Sequence, residues 1–499
     1  MGDLDVLFVH PVVTRRGRPI HVILPLGLFS LAHCLQEEGF QTEILNVGVE
    51  KLLDGDFELG NYVKQRSPRV VGIDLHWYTH SYVAIEAART VKKHANALVV
   101  LGGFTASYFA EEIMKQFPFV DVVLRGEAER PLVELVKQHT TNQDYVRIPN
   151  CTFRRSSEIC HNRISHAPKH IDNLPNSGLD LLRNWDKYLT VKLMWDPSPY
   201  AYFDSEMPKS FDLCISRGCP YQCSYCGGGR EAQRMISGRD GVCFKSPEKV
   251  LEEAIFLKEK GVEEVRLPYL GYPRRYLRLF DLIKGENLGL SCRISFWNLA
   301  RKDVVRRASE AFWRVSVDIS PDSGSENVRR LNKGPHYSNR QLVKTLRFLE
   351  TNDSSVDLYF TVGLPGETQA DFQETMNLAV SLILDNSNIA NAYSFGVNAE
   401  PGSPMFREPD RYGVILSRRS FLDFYSFWET VEMGLKPTDL LGLRRKDRSQ
   451  DSIVEMSKKL RSRVRDALTK SRIGSFEGEG LSRLAGEKMG PVVGIGHNK

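Results

Sequence analysis

The chain has 499 residues, of which 41% are hydrophobic and 26% charged, with a formal net charge of +5. This is enough apolar content for two or three packed domains, and the balance of 67 basic against 62 acidic residues speaks against a nucleic-acid binder, which concentrates a basic excess. No run approaches the roughly 18 apolar residues of a membrane span, and the opening MGDLDVLFVHP is neither a signal peptide nor, with Val6 at position six, a myristoylation motif. The expectation is a cytoplasmic protein.

Residues 1–140 alternate strand and helix signals. Val6-Leu7-Phe8-Val9 is a short apolar run, and LGLFSLAHCLQEE from Leu26 has helical spacing that stops at Gly39. The strands TEILNV and VVGIDL follow. Then come the helix AIEAARTVKKHA, the strand ALVVLGG, the helix ASYFAEEIMKQF and the strand DVVLRG. Apolar strands alternating with helices predict a parallel sheet covered on both faces, a doubly wound, Rossmann-like α/β domain that binds ligands beyond the carboxyl ends of its strands.

Residues 141–208 are broken by Pro149, Pro168, Pro175, Pro197, Pro199 and Pro208 and read as a connector with some strands. From 209 to 405 the alternation resumes. FDLCIS is followed by the helix KVLEEAIFLKEK, VEEVRLP, the helix RRYLRLFDLIK, SCRISFW and a helix from Asp303. VSVDIS, a helix from Asn339, DLYFTVGLP, a helix from Gln369 and NAYSFGV complete the series. Six strand–helix units predict a partial (β/α)6 TIM-type barrel, with its chemistry at the strands' carboxyl ends. Residues 406–474 form a helical C-terminal region, with aromatics Phe421, Phe424, Tyr425 and Trp428 that are core or substrate contacts and a basic stretch KKLRSRVRDALTKSR that reads as a solvated helix face. Residues 475–499 read as a disordered tail.

Six of the nine cysteines are scattered, and single cysteines are most often small core residues. The other three, Cys219, Cys223 and Cys226, form a C-x3-C-x2-C loop. Thiolates suit zinc or iron–sulfur clusters, but zinc takes four closed ligands, commonly as two C-x2-C pairs. A cubane held by three cysteines leaves one iron open to a small ligand. Cys214 would complete a four-thiolate electron carrier, although its place inside FDLCIS favours packing.

The loop ISRGCPYQCSYCGGG, with its Gly-Cys-Pro opening and an aromatic before the last cysteine, resembles the signature of the radical S-adenosylmethionine (SAM) superfamily. The resemblance implies that Cys219, Cys223 and Cys226 hold a 4Fe-4S cluster whose open iron binds SAM. One electron then cleaves SAM to methionine and a 5′-deoxyadenosyl radical. It also implies that Tyr225 lies against the adenine and that Gly227 and Gly228 approach the methionine end. Further along, Ser323-Gly324-Ser325 with Lys333-Gly334 resembles the family's Ser-Gly-Ser turn and downstream Lys-Gly. Gly363-Leu364-Pro365-Gly366-Glu367-Thr368 resembles its Gly-x-Pro-Gly-Glu-Thr turn, so Ser323, Gly324, Lys333, Pro365 and Gly366 are implied SAM contacts. The second strand ends in LPYLGYP and lacks the acid common there.

No strand is followed by G-x-G-x-x-G, which argues against a nicotinamide cofactor. The N-terminal domain resembles the cobalamin-binding module that precedes many radical SAM barrels. The resemblance rests on Pro25-Leu26-Gly27-Leu28, Leu101-Gly102-Gly103 and Arg125-Gly126-Glu127-Ala128-Glu129. It implies cobalamin contacts at Pro25, Gly27, Gly102, Gly103, Gly126 and Glu127, with His76 and Trp77 on a loop near the cofactor's lower face. The Asp-x-His-x-x-Gly motif of other cobalamin enzymes is missing, since Asp74-Leu75-His76-Trp77 continues with Tyr78-Thr79.

The implied activity is a methylcobalamin-dependent methyl transfer to an unactivated carbon of a small-molecule substrate, in specialised-metabolite or lipid biosynthesis. A flavodoxin or ferredoxin would be the one-electron donor. A non-methylating rearrangement, cyclisation or oxidation is the alternative, and an iron–sulfur carrier or regulatory cobalamin binder the third reading.

Overall fold

The computed structural model describes residues 4–15, 18–19, 24–141, 144–188, 209–435 and 437–477. Most of the expected tail, from 478 onward, and the last 20 residues of the expected connector lie outside the described residues. The chain forms two compact units, one of Met1–Val191, Lys209–Leu267 and Asn398–Gln450, the other of Lys192–Pro208, Pro268–Val397 and Asp451–Lys499. These units group the chain differently from the linear order of motifs, because the turn after the last barrel strand belongs with the N-terminal residues.

The first unit holds a seven-stranded sheet. Its strands are β1 (Val6–His10), β2 (Thr42–Asn46), β3 (Val70–Asp74), β4 (Leu98–Gly102), β5 (Val122–Leu124), β6 (Cys151–Arg155) and β7 (Glu158–His161), in the order β2-β1-β3-β4-β5-β6-β7. The first five are parallel, which is the doubly wound arrangement expected from the sequence. All five residues of β1 are buried, so it reads as an apolar run rather than an alternation. Two short helices, Val47–Leu53 and Leu59–Arg66, lie between β2 and β3, where the sequence reading placed none. The hairpin β6–β7 adds antiparallel to β5, so part of the expected connector extends the sheet.

The second sheet comprises β8 (Ser210–Asp212), β11 (Glu264–Tyr269), β12 (Ser291–Phe296), β13 (Val315–Asp322), β14 (Ser355–Val362) and β15 (Ile389–Gly396), in sequence order. A small antiparallel pair, β9 (Ser216–Arg217) with β10 (Cys243–Phe244), intervenes in the chain. Six strands in order, open at the ends among the described residues, make the predicted partial barrel. The boundary between the compact units falls inside β11.

FDLCIS is two strands rather than one, so Cys214 sits between β8 and β9. Within the second unit, β12 to β14 turn Cys292, Ile294, Val317, Ile319, Val356 and Leu358 to one buried face. On the alternate positions Arg293 bridges Asp318 and Asp357, at 2.9 Å each. Helices begin where the sequence supplies caps. Ser338 and Thr368 form capping boxes with Gln341 and Asp371 ahead of Asn339–Glu350 and Gln369–Asp385.

The long helix Gln450–Glu477 buries Ile453, Leu460, Val464 and Ala467 and leaves Lys458, Lys459, Arg461, Arg463, Arg465 and Lys470 exposed. The basic stretch is thus a solvated face. No helix among the described residues is long and apolar enough to cross a membrane.

Candidate functional site

The cysteine loop emerges from β9. Gly218 has φ +94, and a Cβ there would overlap the Gly241 carbonyl, so only glycine lets the chain turn toward Cys219 at this point. The Cys219 sulfur receives the Tyr221 backbone N–H and the Cys226 sulfur that of Gly228. Burial pushes both thiols up from their ordinary value, and neighbouring cysteines add to it. For Cys226, Glu400 is the largest cause after burial.

These thiols are therefore protonated until a metal takes the proton's place. Among the described residues no three His, Cys, Asp or Glu side chains converge on a single-ion site. A cubane instead takes each thiolate at a different iron, and N–H donors to the sulfurs are the partners such clusters use. The donor set fits a 4Fe-4S cluster. Cys214 is occupied elsewhere, with its thiol 3.6 Å from the Ser216 carbonyl it donates to.

The turn after β15 clasps this loop within the first unit. Gly227 N–H donates to Glu400 Oε2 at 2.7 Å, Glu400 N–H to the Tyr225 carbonyl at 3.2 Å, and Met405 N–H to the Ser224 carbonyl at 2.8 Å. A Cβ on Gly227 would overlap the Pro401 carbonyl, whereas one on Gly228 would meet only Cys226 Sγ at 3.9 Å. Gly227 thus serves packing and Gly228 leaves room beside the thiolate. Burial pushes the Glu400 carboxyl up, opposed by hydrogen bonds from Gly227 and Cys226. The sequence reading did not single out Glu400, although a lone acid just before Pro401-Gly402-Ser403-Pro404 was the signal to find it.

The remaining SAM-motif residues lie in the second unit, at the ends of β13 and β14. Gly324 packs so closely that a Cβ would lie 2.5 Å from Thr375 Cα, and its N–H donates to Thr375 Oγ1 at 2.8 Å. Ser323 is buried and pairs with the same hydroxyl at 3.2 Å. Lys333 is buried as an ion pair with Asp322 at 2.7 Å.

Behind this turn Arg329 is fully enclosed. Its guanidinium donates to the carbonyls of Pro321 (3.0 Å), Ser323 (2.6 Å) and Tyr337 (2.6 Å) and to Asn339 Oδ1 (2.8 Å). Asn332 Nδ2 donates to the Pro365 carbonyl at 2.9 Å, linking the two turns. Pro365 is buried and Gly366, at φ +79, exposed. Ser323, Gly324 and Lys333 are therefore committed to the turn's own architecture, and Gly366 presents backbone outward.

In the N-terminal sheet, β1 and β3 end in a polar cluster. His10 Nδ1 pairs with Asp74 Oδ2 at 2.8 Å, and His76 N–H donates to Asp74 Oδ1 at 3.0 Å. The His76 ring meets Trp77 at 4.8 Å and Phe104 at 5.2 Å edge-to-face, and burial pushes its imidazole down. Trp77 is 44% exposed, so it is no core residue. His10 Nε2 is buried with no partner in the protein. Pro25 is buried, Gly27 is exposed with open space where a Cβ would point, and Gly102 has only the Leu124 carbonyl at 3.8 Å.

These residues fit a cobalamin at the strands' carboxyl ends. Gly103 is explained otherwise, since its Cβ would lie 2.6 Å from the His76 backbone. Glu127 is likewise engaged by the protein, in ion pairs with Arg217 (2.9 Å) and Arg239, and a Cβ on Gly126 would lie 2.6 Å from Ser237 Cα. Of the four C-terminal aromatics, Phe421 and Phe424 are buried against Phe109 at 5.8 Å each, and Tyr425 meets Tyr82 at 5.1 Å and donates to Glu86 at 2.9 Å. They serve as packing. Trp428 meets the Phe427 ring edge at 5.3 Å.

Comparison with known proteins agrees with both halves. Residues 12–136 match the B12 binding domain and residues 213–379 the Radical SAM superfamily. Among curated relatives, the uncharacterized methyltransferase PH0819 of Pyrococcus horikoshii is 25% identical over 371 residues, 72% of this chain and 74% of that protein. The anaerobic magnesium-protoporphyrin IX monomethyl ester cyclase of Cereibacter sphaeroides is 25% identical over 81% of this chain, and the hopanoid C-3 methylase of Methylococcus capsulatus 25% over 69%. This chain spans 63% of the length of each of these two. The solved structure of the methyltransferase TsrM from Kitasatospora setae, with cobalamin and a [4Fe-4S] cluster bound, superposes with a TM-score of 0.63 at 16% identity, covering 85% of this chain and 81% of that one. The apo structure of the cobalamin-dependent enzyme OxsB gives 0.60 at 11% identity, covering 95% and 81%.

Proposed function

The chain belongs to the radical SAM superfamily and carries a B12-binding domain ahead of its radical SAM domain, and on that premise we propose that it is a cobalamin-dependent methyltransferase acting on an unactivated carbon of a small molecule. The observation that carries the reading is the match to the uncharacterized methyltransferase PH0819 over 72% of this chain and to a hopanoid C-3 methylase over 69% of it. When bound, the cluster and SAM supply a carbon-centred radical and cobalamin supplies the methyl group, so the hard chemistry is the cofactors' own.

The protein's share is to hold and orient. Cys219, Cys223 and Cys226 would hold the cluster, with Tyr225 and Gly228 beside it. Ser323, Gly324, Lys333, Pro365 and Gly366 shape the two turns at the ends of β13 and β14 that the family uses for SAM. Pro25, Gly27, His76, Trp77 and Gly102 would line the face that takes cobalamin. A one-electron donor such as a flavodoxin or ferredoxin would supply the reducing electron.

The test is anaerobic reconstitution with cobalamin and a low-potential reductant, followed by assay of 5′-deoxyadenosine and S-adenosylhomocysteine. Methyl transfer of this kind yields both. A second reading, cyclisation or oxidation without methyl transfer, draws on the cyclase of Cereibacter sphaeroides, which matches 81% of this chain at the same identity. Deoxyadenosine formed without homocysteine products would establish that reading in place of the first.

A further inference from the structure

The turn Arg125-Gly126-Glu127-Ala128-Glu129 was expected to touch cobalamin, yet its carboxylates point to a different task. Glu127 Oε2 pairs with Arg217 Nη1 at 2.9 Å, and Oε1 accepts from Arg239. Arg217 stands two residues before Cys219, and Arg239 two residues beyond the end of the helix Arg230–Ser237 that follows Cys226. One carboxylate therefore grips the entry and the exit of the segment that carries all three cysteines.

Neighbouring groups complete the grip. Glu129 Oε1 takes a second contact from Arg217 Nη1 at 2.6 Å. Ser30 Oγ donates to Glu129 at 3.0 Å and accepts from Arg217 Nη2 at 3.2 Å. Arg239 Nη2 also donates to the Pro168 carbonyl at 2.9 Å. Two carboxylates face two guanidinium groups, so the cluster of charges is neutral by count. The side chains of Arg239, Glu129 and Glu127 are 5%, 7% and 12% exposed. A planar guanidinium holds a carboxylate in a fixed geometry that a flexible contact does not.

Backbone packing sets where the carboxylate is delivered. Gly126, at φ +70, lies so close to the Arg230–Ser237 helix that a Cβ would stand 2.6 Å from Ser237 Cα. Its N–H donates to Ser107 Oγ at 2.8 Å, and that hydroxyl donates to the Gly103 carbonyl at 2.6 Å. The glycine loop at the end of β4 is thereby joined through Ser107 to the Glu127 turn.

We propose that Glu127 is a positioning residue for the iron–sulfur cluster rather than a cobalamin contact, fixing both ends of the cysteine segment so that the three thiolates are presented in one geometry. A carboxylate with one oxygen on each of two arginines already has both oxygens engaged within the protein. Cluster potential and ligand response follow sulfur geometry and the surrounding hydrogen bonds, so loosening the grip is felt at the cluster. The inference rests on the reading of Cys219, Cys223 and Cys226 as the cluster's ligands.

The experiment uses the full chain, purified anaerobically with cobalamin and reconstituted with iron and sulfide. Glu127→Gln keeps the side chain's length and removes its charge. Expected are altered g-values or linewidth of the reduced cluster, a weakened spectral response to SAM and a roughly tenfold slower release of 5′-deoxyadenosine, with cobalamin stoichiometry unchanged and partial rescue in Glu127→Asp. Arg239→Gln, which frees only the exit, gives a smaller change of the same kind and serves if Glu127→Gln does not fold. Loss of cobalamin with an unaltered cluster spectrum would make Glu127 a cofactor contact and overturn the proposal, as would spectra and rates equal to wild type. A wild-type protein that assembles no cluster would instead sink the cysteine assignment itself.

Discussion

Arg329 donates to the carbonyl of Ser323 at 2.6 Å from a fully buried guanidinium, and none of the four acceptors that surround it is a carboxylate. A buried charge held by neutral oxygens is stable only while all of them are in place. Arg329→Met removes the donors and leaves at least two main-chain carbonyls unsatisfied, at about 1–3 kcal/mol each. The expected outcome is a loss of about 3 kcal/mol or more in urea unfolding and weaker SAM binding, because the Ser323-Gly324 turn loses its support.

Single alanine replacements separate ligand cysteines from bystanders. Cys219→Ala, Cys223→Ala and Cys226→Ala are each expected to reduce cluster iron and abolish 5′-deoxyadenosine formation. Cys214→Ala, whose thiol donates to Ser216, keeps both. Iron and sulfide analysis with the 420 nm absorbance checks this; an absent cluster in Cys214→Ala would point to a four-thiolate carrier.

Two adjacent glycines differ in what they tolerate. A Cβ at Gly227 overlaps the Pro401 carbonyl, while a Cβ at Gly228 has 3.9 Å to Cys226 Sγ. Gly227→Ala is therefore expected to cost about 1–3 kcal/mol through overpacking and to lose cluster. Gly228→Ala folds and assembles a cluster but binds SAM at least severalfold more weakly. Melting temperature, iron content and SAM titration distinguish the two.

The pH dependence of the apo-protein follows from the Cys219 and Cys226 thiols, which burial raises above their ordinary value of 9.0. The folded form binds their protons more tightly than the unfolded chain. Their contribution to stability is full below the unfolded value and is lost as pH rises toward the folded ones. Metal binding must expel these protons, so cluster assembly is favoured by raising pH from 7 to 8.5. Urea unfolding of apo-protein from pH 7 to 10 is expected to show falling stability above about pH 9, while reconstitution yield rises over the lower range.

The parts of this protein written in local pattern were legible. Helices from Asn339 and Gln369 begin where Ser338 and Thr368 cap them, and the parallel strands stand out because both faces are buried. The helices Val47–Leu53 and Leu59–Arg66 escaped notice because each spans about two turns, too short to express a period. Strands β6 and β7 fall in the stretch read as a connector with some strands, and the prolines around them hid that they extend the sheet. At the site, the cysteine loop is contiguous and carries its meaning in its spacing. His10, Glu400 and Arg329 do not, since their significance comes from Asp74, Gly227 and carbonyls brought near by the fold. Glu127 carries a motif that points to the cobalamin module, while the arginines it binds lie 90 and 112 positions away in the sequence.

The turn that follows the last barrel strand belongs to the same compact unit as the cysteine segment and the N-terminal sheet. Severing the chain at either apparent module border, near 140 or near 405, would therefore leave fragments that each keep half of a shared foundation. An excised barrel beginning at residue 209 would retain Arg217 and Arg239 with their carboxylate gone. A graft of a foreign cobalamin module onto this barrel has to import acids at the places of Glu127 and Glu129, or Arg217 and Arg239 on either side of the cysteine loop lose the carboxylates they pair with.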